Sequence, residues 1–139
     1  MSEHGTLQLR TVAGEGLEFE ARFATGSLVL DGGGDPAGPN PVQTLLAALA
    51  ACEAMDVISI LRKKHQVVSA YEVAMSGERA ADHPRRFTSI AIVHRLRGRG
   101  IAPAAVDEAI RLSVQKYCSV HHSLRSDMTI TNRYEIEED

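Results

Sequence analysis

The sequence predicts an α+β fold in which antiparallel sheets surround a long, buried central helix. Three observations lead to this fold class. Runs with apolar residues at every second position occur in both halves of the chain, a long apolar segment begins at Pro41, and a second helical pattern begins at Pro103. The predicted order is three strands, a helix, two strands, a helix and a strand. With 139 residues and no internal repeat, we expect a single domain over 1–139.

The first thirty residues are predicted to form an antiparallel meander. Residues 6–12, 17–23 and 27–31 each alternate or are apolar, and short glycine-containing turns separate them. The glycine-rich segment 32–39 that follows lacks the Lys-Ser/Thr of a phosphate-binding P-loop and the spacing of a dinucleotide-binding turn. We therefore expect it to be a connecting loop.

The central helix is predicted to begin at Pro41 and to end near residues 62–65. Asn40 is a favourable N-cap, and the basic residues at the other end complement the helix dipole. The segment is long enough to span a membrane, but Glu53 and Asp56 interrupt it, and carboxylates are costly in a bilayer. We expect the core helix of a soluble protein. Because the helix is apolar nearly all round, we also expect a partner subunit to cover one face in a homodimer.

The second half of the chain is predicted to contain three strands and one helix. Residues 67–79 and 87–97 alternate as strands, with a polar loop between them. A helix opens at Pro103 and is expected to run to about Cys118, and residues 128–137 form the last strand.

Composition excludes some classes of function and indicates a compartment. The net charge of -3 gives no electrostatic footprint for nucleic acid. The first residues have neither the basic nor the apolar region of a signal peptide, so we expect a cytoplasmic protein that neither spans nor binds a membrane. Lasting disulfides are rare in that reducing compartment, and a disulfide between the two cysteines is therefore expected to be transient.

Cys52 and Cys118 are the only cysteines, and they are either inert core atoms or a redox pair. Cys52 lies too deep in its helix for the N-terminal dipole to lower its pKa, and Asp56, one turn later, opposes a thiolate. Cys118 lies at a predicted helix C-terminus, which suits a resolving thiol better than an attacking one. A cation must come from elsewhere to activate Cys52. The candidates are Arg22, Arg85 and Arg86, or a group of a partner chain.

Two other kinds of site match some of these residues. Cys118, His121 and His122 offer three metal donors at close spacing, but no second pair of donors is in sequence reach, and Cys52 or His83 could complete the set only through the fold. Exposed loop histidines are the better explanation of these residues. A Cys/His hydrolase could use His94, His121 or His122 as its base, but no local signature supports it.

Three segments of the chain together resemble the OsmC/Ohr family, and in particular its less characterised OsmC-like subgroup. The first is the central helix, the second lies in residues 78–90, and the third in residues 112–120. The matching positions are Pro41, Leu45–Leu49, Cys52, Asp56, Val57, Ile60, Leu61 and Lys63; Glu78, Arg79, Pro84, Arg85, Phe87, Thr88 and Ile90; and Leu112, Ser113, Lys116, Tyr117, Cys118, Ser119 and Val120.

This resemblance implies an intertwined homodimer and a thiol peroxidase that protects against oxidative stress. Cys52 would be the peroxidatic cysteine for an organic hydroperoxide and Cys118 the resolving one, and a dithiol would reduce the resulting disulfide. No metal or organic cofactor is implied. Gln43 stands where the family commonly carries a glutamate that positions an arginine, and Arg22 lies in the N-terminal region that supplies this arginine. These two residues are the candidate supporting groups.

A non-catalytic protein is the alternative. It would use the same pocket at the dimer interface, lined by Cys52, Met55 and apolar residues, to hold a small hydrophobic ligand.

Overall fold

The computed structural model describes all 139 residues, Met1–Asp139, as two compact units. The first unit is Met1–Leu45 and the second is Leu46–Asp139. The expectation of a single domain over the whole chain stays a prediction.

The first unit contains a three-stranded antiparallel meander, as the sequence predicted. The strands are β1 (Gly5–Leu9), β2 (Glu18–Phe23) and β3 (Gly26–Asp31), in that spatial order, and Ala21 pairs with both Leu7 and Leu28. The glycine-rich segment after β3 is a loop, also as predicted. It is closed by the carboxylate of Asp31, which accepts hydrogen bonds from the backbone N–H groups of Ala37 and Gly33. These two bonds lower the pKa of Asp31.

The central helix α1 (Pro41–Lys63) begins at a reciprocal cap. The Asn40 side chain accepts from the Gln43 N–H at 2.8 Å, and the Gln43 side chain accepts from the Asn40 N–H at 2.9 Å. At the other end, Arg62 and Lys63 lie in the last turn. The predicted N-cap and basic C-terminus of the helix are therefore confirmed.

Helix α1 buries one face within the chain and exposes the opposite one. The buried residues are Leu49, Ala50, Glu53, Val57 and Leu61. The exposed face is mainly apolar and carries Ala48, Ala51, Met55 and Ser59. By length and composition alone α1 could cross a membrane, but the core helix of a soluble protein meets the same criteria, and Val57 and Leu61 belong to the hydrophobic core.

The sheet of the second unit has the order β4 (Val67–Arg79), β5 (Phe87–Arg99) and β6 (Thr129–Glu138). Strands β4 and β5 pair antiparallel, but β6 pairs parallel to β5, which departs from the predicted antiparallel sheets. The connection between β5 and β6 passes through helical segments. Such a crossover returns the chain in the same direction as the strand it left, and alternation of apolar residues carries no information on strand direction.

The core of this unit lies between the helices and one face of the sheet. Along β5 the residues Ile90, Ile92, His94 and Leu96 are buried and their neighbours are more exposed, so that one face of the strand is covered. Val57 and Leu61 of α1 pack with Leu96 and with Val106 and Ala109 of helix α2 (Pro103–Leu112). A π-helical turn (Ser113–Tyr117) and the short helix α3 (Ser119–Ser123) follow.

Candidate functional site

The structure brings the two cysteines together. Cys52 is half-buried on α1, and Cys118 is fully buried just before α3. The Sγ atom of Cys52, the Sγ atom of Cys118 and a carboxylate oxygen of Asp56 all lie within 4.8 Å of one another. A disulfide has an S–S bond of ~2.05 Å, so the two sulfurs need to approach by less than ~3 Å to form one. No other three histidine, cysteine, aspartate or glutamate side chains bring their ligand atoms as close together.

The π-helical turn sets the position of Cys118. The Cys118 N–H donates to the carbonyl oxygen of Ser113, five residues earlier, at 2.8 Å. Cys118 then leaves the helical conformation and becomes the N-cap of α3, and its sulfur accepts from the His121 N–H at 3.3 Å. The predicted helix to Cys118 is therefore α-helical only to Leu112. No glycine or proline lies between the two helices, so no residue in this segment indicated the break.

The Cys118 thiol is held in its protonated form by its surroundings. Burial is the largest cause and raises its pKa to about 12; the neighbouring Cys52 and Glu53 act in the same direction, and the His121 N–H acts against them. Cys118 is therefore a thiol, not a thiolate, at neutral pH.

Asp56 lies on the same face of α1 as Cys52, one turn later. The buried Ser113 hydroxyl donates to Asp56 Oδ2 at 2.9 Å, and no lysine or arginine forms an ion pair with this carboxylate. The sequence identified Asp56 as a charge beside Cys52. Its proximity to Cys118 depends on the π-helical turn and was not predicted.

An open cleft of about 340 Å³ lies beside Asp56. It is lined by Asp56, Ser59, Ile60, Lys63, Lys64, Leu112 and Tyr117. A larger cleft of about 520 Å³ lies along β4, β5 and β6, and no cysteine lines it. Neither cysteine lines the cleft at Asp56 directly, and the Asp56 carboxylate is the group that connects it to the two sulfurs.

Glu53 is a buried carboxylate next to the cysteines, with a side chain that is 1% exposed. Its Oε1 atom contacts His121 Nδ1 at 3.0 Å, and its Oε2 atom has no hydrogen-bond partner. The sequence showed Glu53 only as a polar residue in an apolar helix. Nothing in the local pattern pairs it with His121, 68 positions away.

The histidines proposed from the sequence as metal ligands or bases have other partners. His121 contacts Glu53, and His122 Nε2 donates to the carbonyl oxygen of Val114 at 2.9 Å. His94 is fully buried on β5, where it accepts from the Tyr71 hydroxyl at 2.6 Å and donates to Asn132 at 2.8 Å. Burial lowers the pKa of His94, which favours this neutral tautomer. Both ring nitrogens of His94 form hydrogen bonds within the core, so His94 is a structural residue and not the base of a hydrolase.

The two candidate supporting residues have local partners in the first unit. Arg22 is exposed and donates to the carboxylate of Glu20 at 3.1 and 3.3 Å. The Gln43 side chain takes part in the cap of α1. Of the other candidate cations, Arg85 is exposed, and Arg86 donates to the carbonyl oxygen of Phe87.

Comparisons with known proteins agree with this architecture. Residues 32–133 match the family described as OsmC-like protein. Protein YhfA of Escherichia coli K12 is 39% identical over 131 residues, which cover 94% of this chain and 98% of YhfA. The crystal structure of a hypothetical protein from Aquifex aeolicus VF5 is 25% identical, with a TM-score of 0.87 over 100% of this chain and 98% of that one.

An organic hydroperoxide resistance protein has the same fold. OhrB of Bacillus subtilis is 14% identical, with a TM-score of 0.63 over 95% of this chain and 98% of OhrB. At this identity the likeness concerns the fold alone. The shared architecture of these solved structures confirms the predicted α+β fold.

Proposed function

The chain belongs to the OsmC-like protein family, and from this premise we propose that it is a thiol peroxidase that reduces organic hydroperoxides through Cys52 and Cys118. The observation that carries the proposal is the approach of the two sulfurs to within 4.8 Å across 66 positions of sequence. A pair of inert core thiols has no need of this proximity, whereas a two-cysteine peroxidase depends on it.

The proposed cycle has three steps. The Cys52 thiolate attacks the distal oxygen of the hydroperoxide, the O–O bond breaks, and the products are a sulfenic acid on Cys52 and an alcohol. The Cys118 sulfur then attacks the Cys52 sulfur, an S–S bond forms, and the hydroxyl group leaves as water. A dithiol reductant of the cytoplasm finally restores both thiols by exchange. No metal or organic cofactor takes part.

The protonation of the pair supports this division of roles. Cys118 keeps its proton because burial raises its pKa, and it is fully buried. Cys52 is only half-buried and so is the more accessible of the two sulfurs for the first attack on a substrate. The cleft beside Asp56, with apolar walls at Ile60 and Leu112, offers a path for an organic substrate.

Stoichiometric oxidation tests the peroxidase. We expect one equivalent of cumene hydroperoxide to remove both thiols of the reduced protein within seconds, and peptide mass spectrometry to find an intrachain Cys52–Cys118 disulfide. Cys118→Ser is the matched variant, in which oxidation stops at a Cys52 sulfenic acid that dimedone traps. Survival of both thiols for minutes in excess peroxide contradicts the proposal. The non-catalytic protein that holds a small hydrophobic ligand near Cys52 and Met55 would then be the better explanation.

We also propose a homodimer that covers the exposed face of α1. Met55 is 68% exposed on this face, next to Ala51, and Tyr117 is half exposed. Burial of exposed apolar side chains against a second subunit lowers the free energy of the assembly. The Cys52 sulfur lies on the same helix, so this contact would also shield the site.

Sedimentation tests the dimer. We expect the wild-type protein to sediment with twice the chain mass of 15.1 kDa. Met55→Asp places a charge in the proposed interface and should raise the dissociation constant at least about 100-fold, because an unpaired buried charge is costly. Val12→Asp is the control, since Val12 is 83% exposed and lies outside α1. Equal dimer strength in both variants would show that the interface lies elsewhere.

A further inference from the structure

The disulfide-forming step requires Cys118 to lose its proton, and the chain has few groups that can receive it. We propose that the Asp56 carboxylate accepts the proton of Cys118 while Cys118 attacks Cys52, and then delivers it to the leaving group. This inference rests on the proposed two-cysteine chemistry and assigns Asp56 a catalytic role in it.

The Asp56 carboxylate lies beside both reacting atoms. One of its oxygens is within 4.8 Å of both sulfurs, a separation that one bridging water molecule spans for proton transfer. The Ser113 hydroxyl holds Oδ2 at 2.9 Å and fixes the orientation of the carboxylate. Ser113 is also the residue whose carbonyl oxygen accepts from the Cys118 N–H at 2.8 Å. A single residue therefore positions both Asp56 and Cys118.

The charges around the site favour an internal transfer of the proton. Cys118 is fully buried, and the buried carboxyl group of Glu53 disfavours a negative charge on its sulfur. Loss of its proton to bulk water would add a negative charge to this cluster. Transfer to the Asp56 carboxylate instead leaves the total charge unchanged, because the thiolate appears as the carboxylate is neutralised.

A base within reach also affects the rate of the step. Burial raises the pKa of Cys118, so little of it is ionised at pH 7. Attack by this small fraction is slow, whereas a base within reach removes the proton as the S–S bond forms.

The other titratable groups near Cys118 are less suited. His121 offers its backbone N–H to the Cys118 sulfur, and its ring nitrogen Nδ1 contacts Glu53. Glu53 uses Oε1 for that contact, and it is Asp56 rather than Glu53 that lies within 4.8 Å of both sulfurs. His122 is bound to the Val114 carbonyl oxygen.

Atoms, protons and electrons are conserved in the proposed step. The Cys118 S–H bond breaks and its proton moves to Asp56. The Cys118 sulfur forms the S–S bond as the S–O bond of the Cys52 sulfenic acid breaks, and the leaving hydroxide takes the proton from Asp56 to become water. Cys118 is oxidised and the sulfenic sulfur is reduced, so no further oxidant is required.

The step can be measured without peroxide. Ellman's disulfide reacts with Cys52 and releases one nitrothiobenzoate, and attack by Cys118 on the mixed disulfide then releases a second. The Cys118→Ser and Cys52→Ser variants identify which release belongs to which thiol. In Asp56→Asn, which preserves size and the contact with Ser113, we expect the second release at pH 7 to slow at least about 100-fold. We expect the first release to be no slower than in the wild-type protein, because a neighbouring negative charge has been removed.

The pH profile separates a proton acceptor from a structural residue. In Asp56→Asn the second release should rise about tenfold per pH unit from pH 7 to 9, since hydroxide must then ionise Cys118, and the wild-type rate should rise much less steeply. Asp56→Glu should recover part of the rate, and urea unfolding checks that each variant is folded.

A second release in Asp56→Asn within about threefold of the wild-type rate overturns the inference. The same holds for a slower release with an unchanged pH profile, since that pattern indicates altered packing. Neither result depends on peroxide. If the thiols do not react with cumene hydroperoxide, only the proposed peroxidase activity is refuted. If Asp56→Asn does not slow the second release, only the proposed proton transfer is refuted.

Discussion

Replacement of Cys52 with serine is expected to lower the rate of hydroperoxide consumption at least about 1,000-fold, because a serine hydroxyl is essentially un-ionised where a thiolate is needed. Cys118→Ser should behave differently. Its Cys52 is intact, so it should consume one equivalent of peroxide at a rate close to that of the wild-type protein and then slow, because the sulfenic acid has no internal thiol to resolve it. Consumption of cumene hydroperoxide with excess dithiothreitol measures both phases.

Comparison of peroxide consumption by Cys52→Ser and Cys118→Ser shows which cysteine attacks first. Ser119→Ala is the control, because Ser119 is exposed and adjoins Cys118 without contacting either sulfur. We expect it to turn over like the wild-type protein. A Cys52→Ser variant that still shows a one-equivalent burst would assign the first attack to Cys118 and reverse the proposed roles.

Replacement of His94 with leucine is expected to lower the free energy of unfolding by about 1–3 kcal/mol at pH 7.5, because two partly buried polar groups lose their partner. These groups are the Tyr71 hydroxyl and the Asn132 amide, which contact the His94 ring at 2.6 and 2.8 Å. The fully buried ring and leucine have similar volumes, so the loss arises from hydrogen bonding and not from a cavity.

The difference between wild-type protein and His94→Leu should narrow as the pH falls. Burial lowers the pKa of His94 below 6.5 in the folded state, although the Asn132 hydrogen bond and the Glu53 charge oppose the shift. Below pH 6.5 the unfolded chain therefore binds a proton that the folded chain does not, and the wild-type protein loses up to about 1.4 kcal/mol per pH unit. Leucine does not bind a proton, so the stability of His94→Leu lacks this dependence on pH. The other histidines contribute equally to the pH dependence of both proteins.

Urea unfolding at pH 7.5 and 5.5 measures this narrowing, which we expect to be about 1 kcal/mol. His4→Leu is the control, since His4 is exposed and should change neither the stability nor its pH dependence. A constant difference between wild-type protein and His94→Leu across this pH range would contradict a depressed pKa for His94.

The parts of the fold that depend on local chemistry could be predicted from the sequence. Alternation placed the strands, Asn40 and Pro41 placed the start of the central helix, and the glycines of 32–34 placed a loop. Apolar residues on all sides of α1 also predicted that a single chain does not bury the whole helix. Met55 is exposed within the chain, which agrees with this part of the prediction. Periodicity, capping and turn residues act over a few positions, so each leaves its mark in the sequence.

The parts of the site that depend on long-range contacts could not be predicted in this way. Strand β6 is parallel to β5 because of the path of the intervening chain, which alternation does not record. The π-helical turn that lets Ser113 contact both Cys118 and Asp56 contains no glycine or proline. The Glu53–His121 contact joins residues 68 positions apart. Resemblance to a family paired the cysteines, but it gave no partner to Asp56.

The distance in sequence between the two cysteines also has a thermodynamic consequence. A covalent bond between them would close a loop of roughly 65 residues, and the entropy removed from the unfolded chain by such a loop is worth about 4 kcal/mol at 25 °C. This loop contains β4, β5 and α2, which form most of the core of the second unit. Oxidation would therefore make the whole unit more resistant to unfolding and proteolysis. In each catalytic cycle the protein would alternate between a more stable oxidised state and a less stable reduced state.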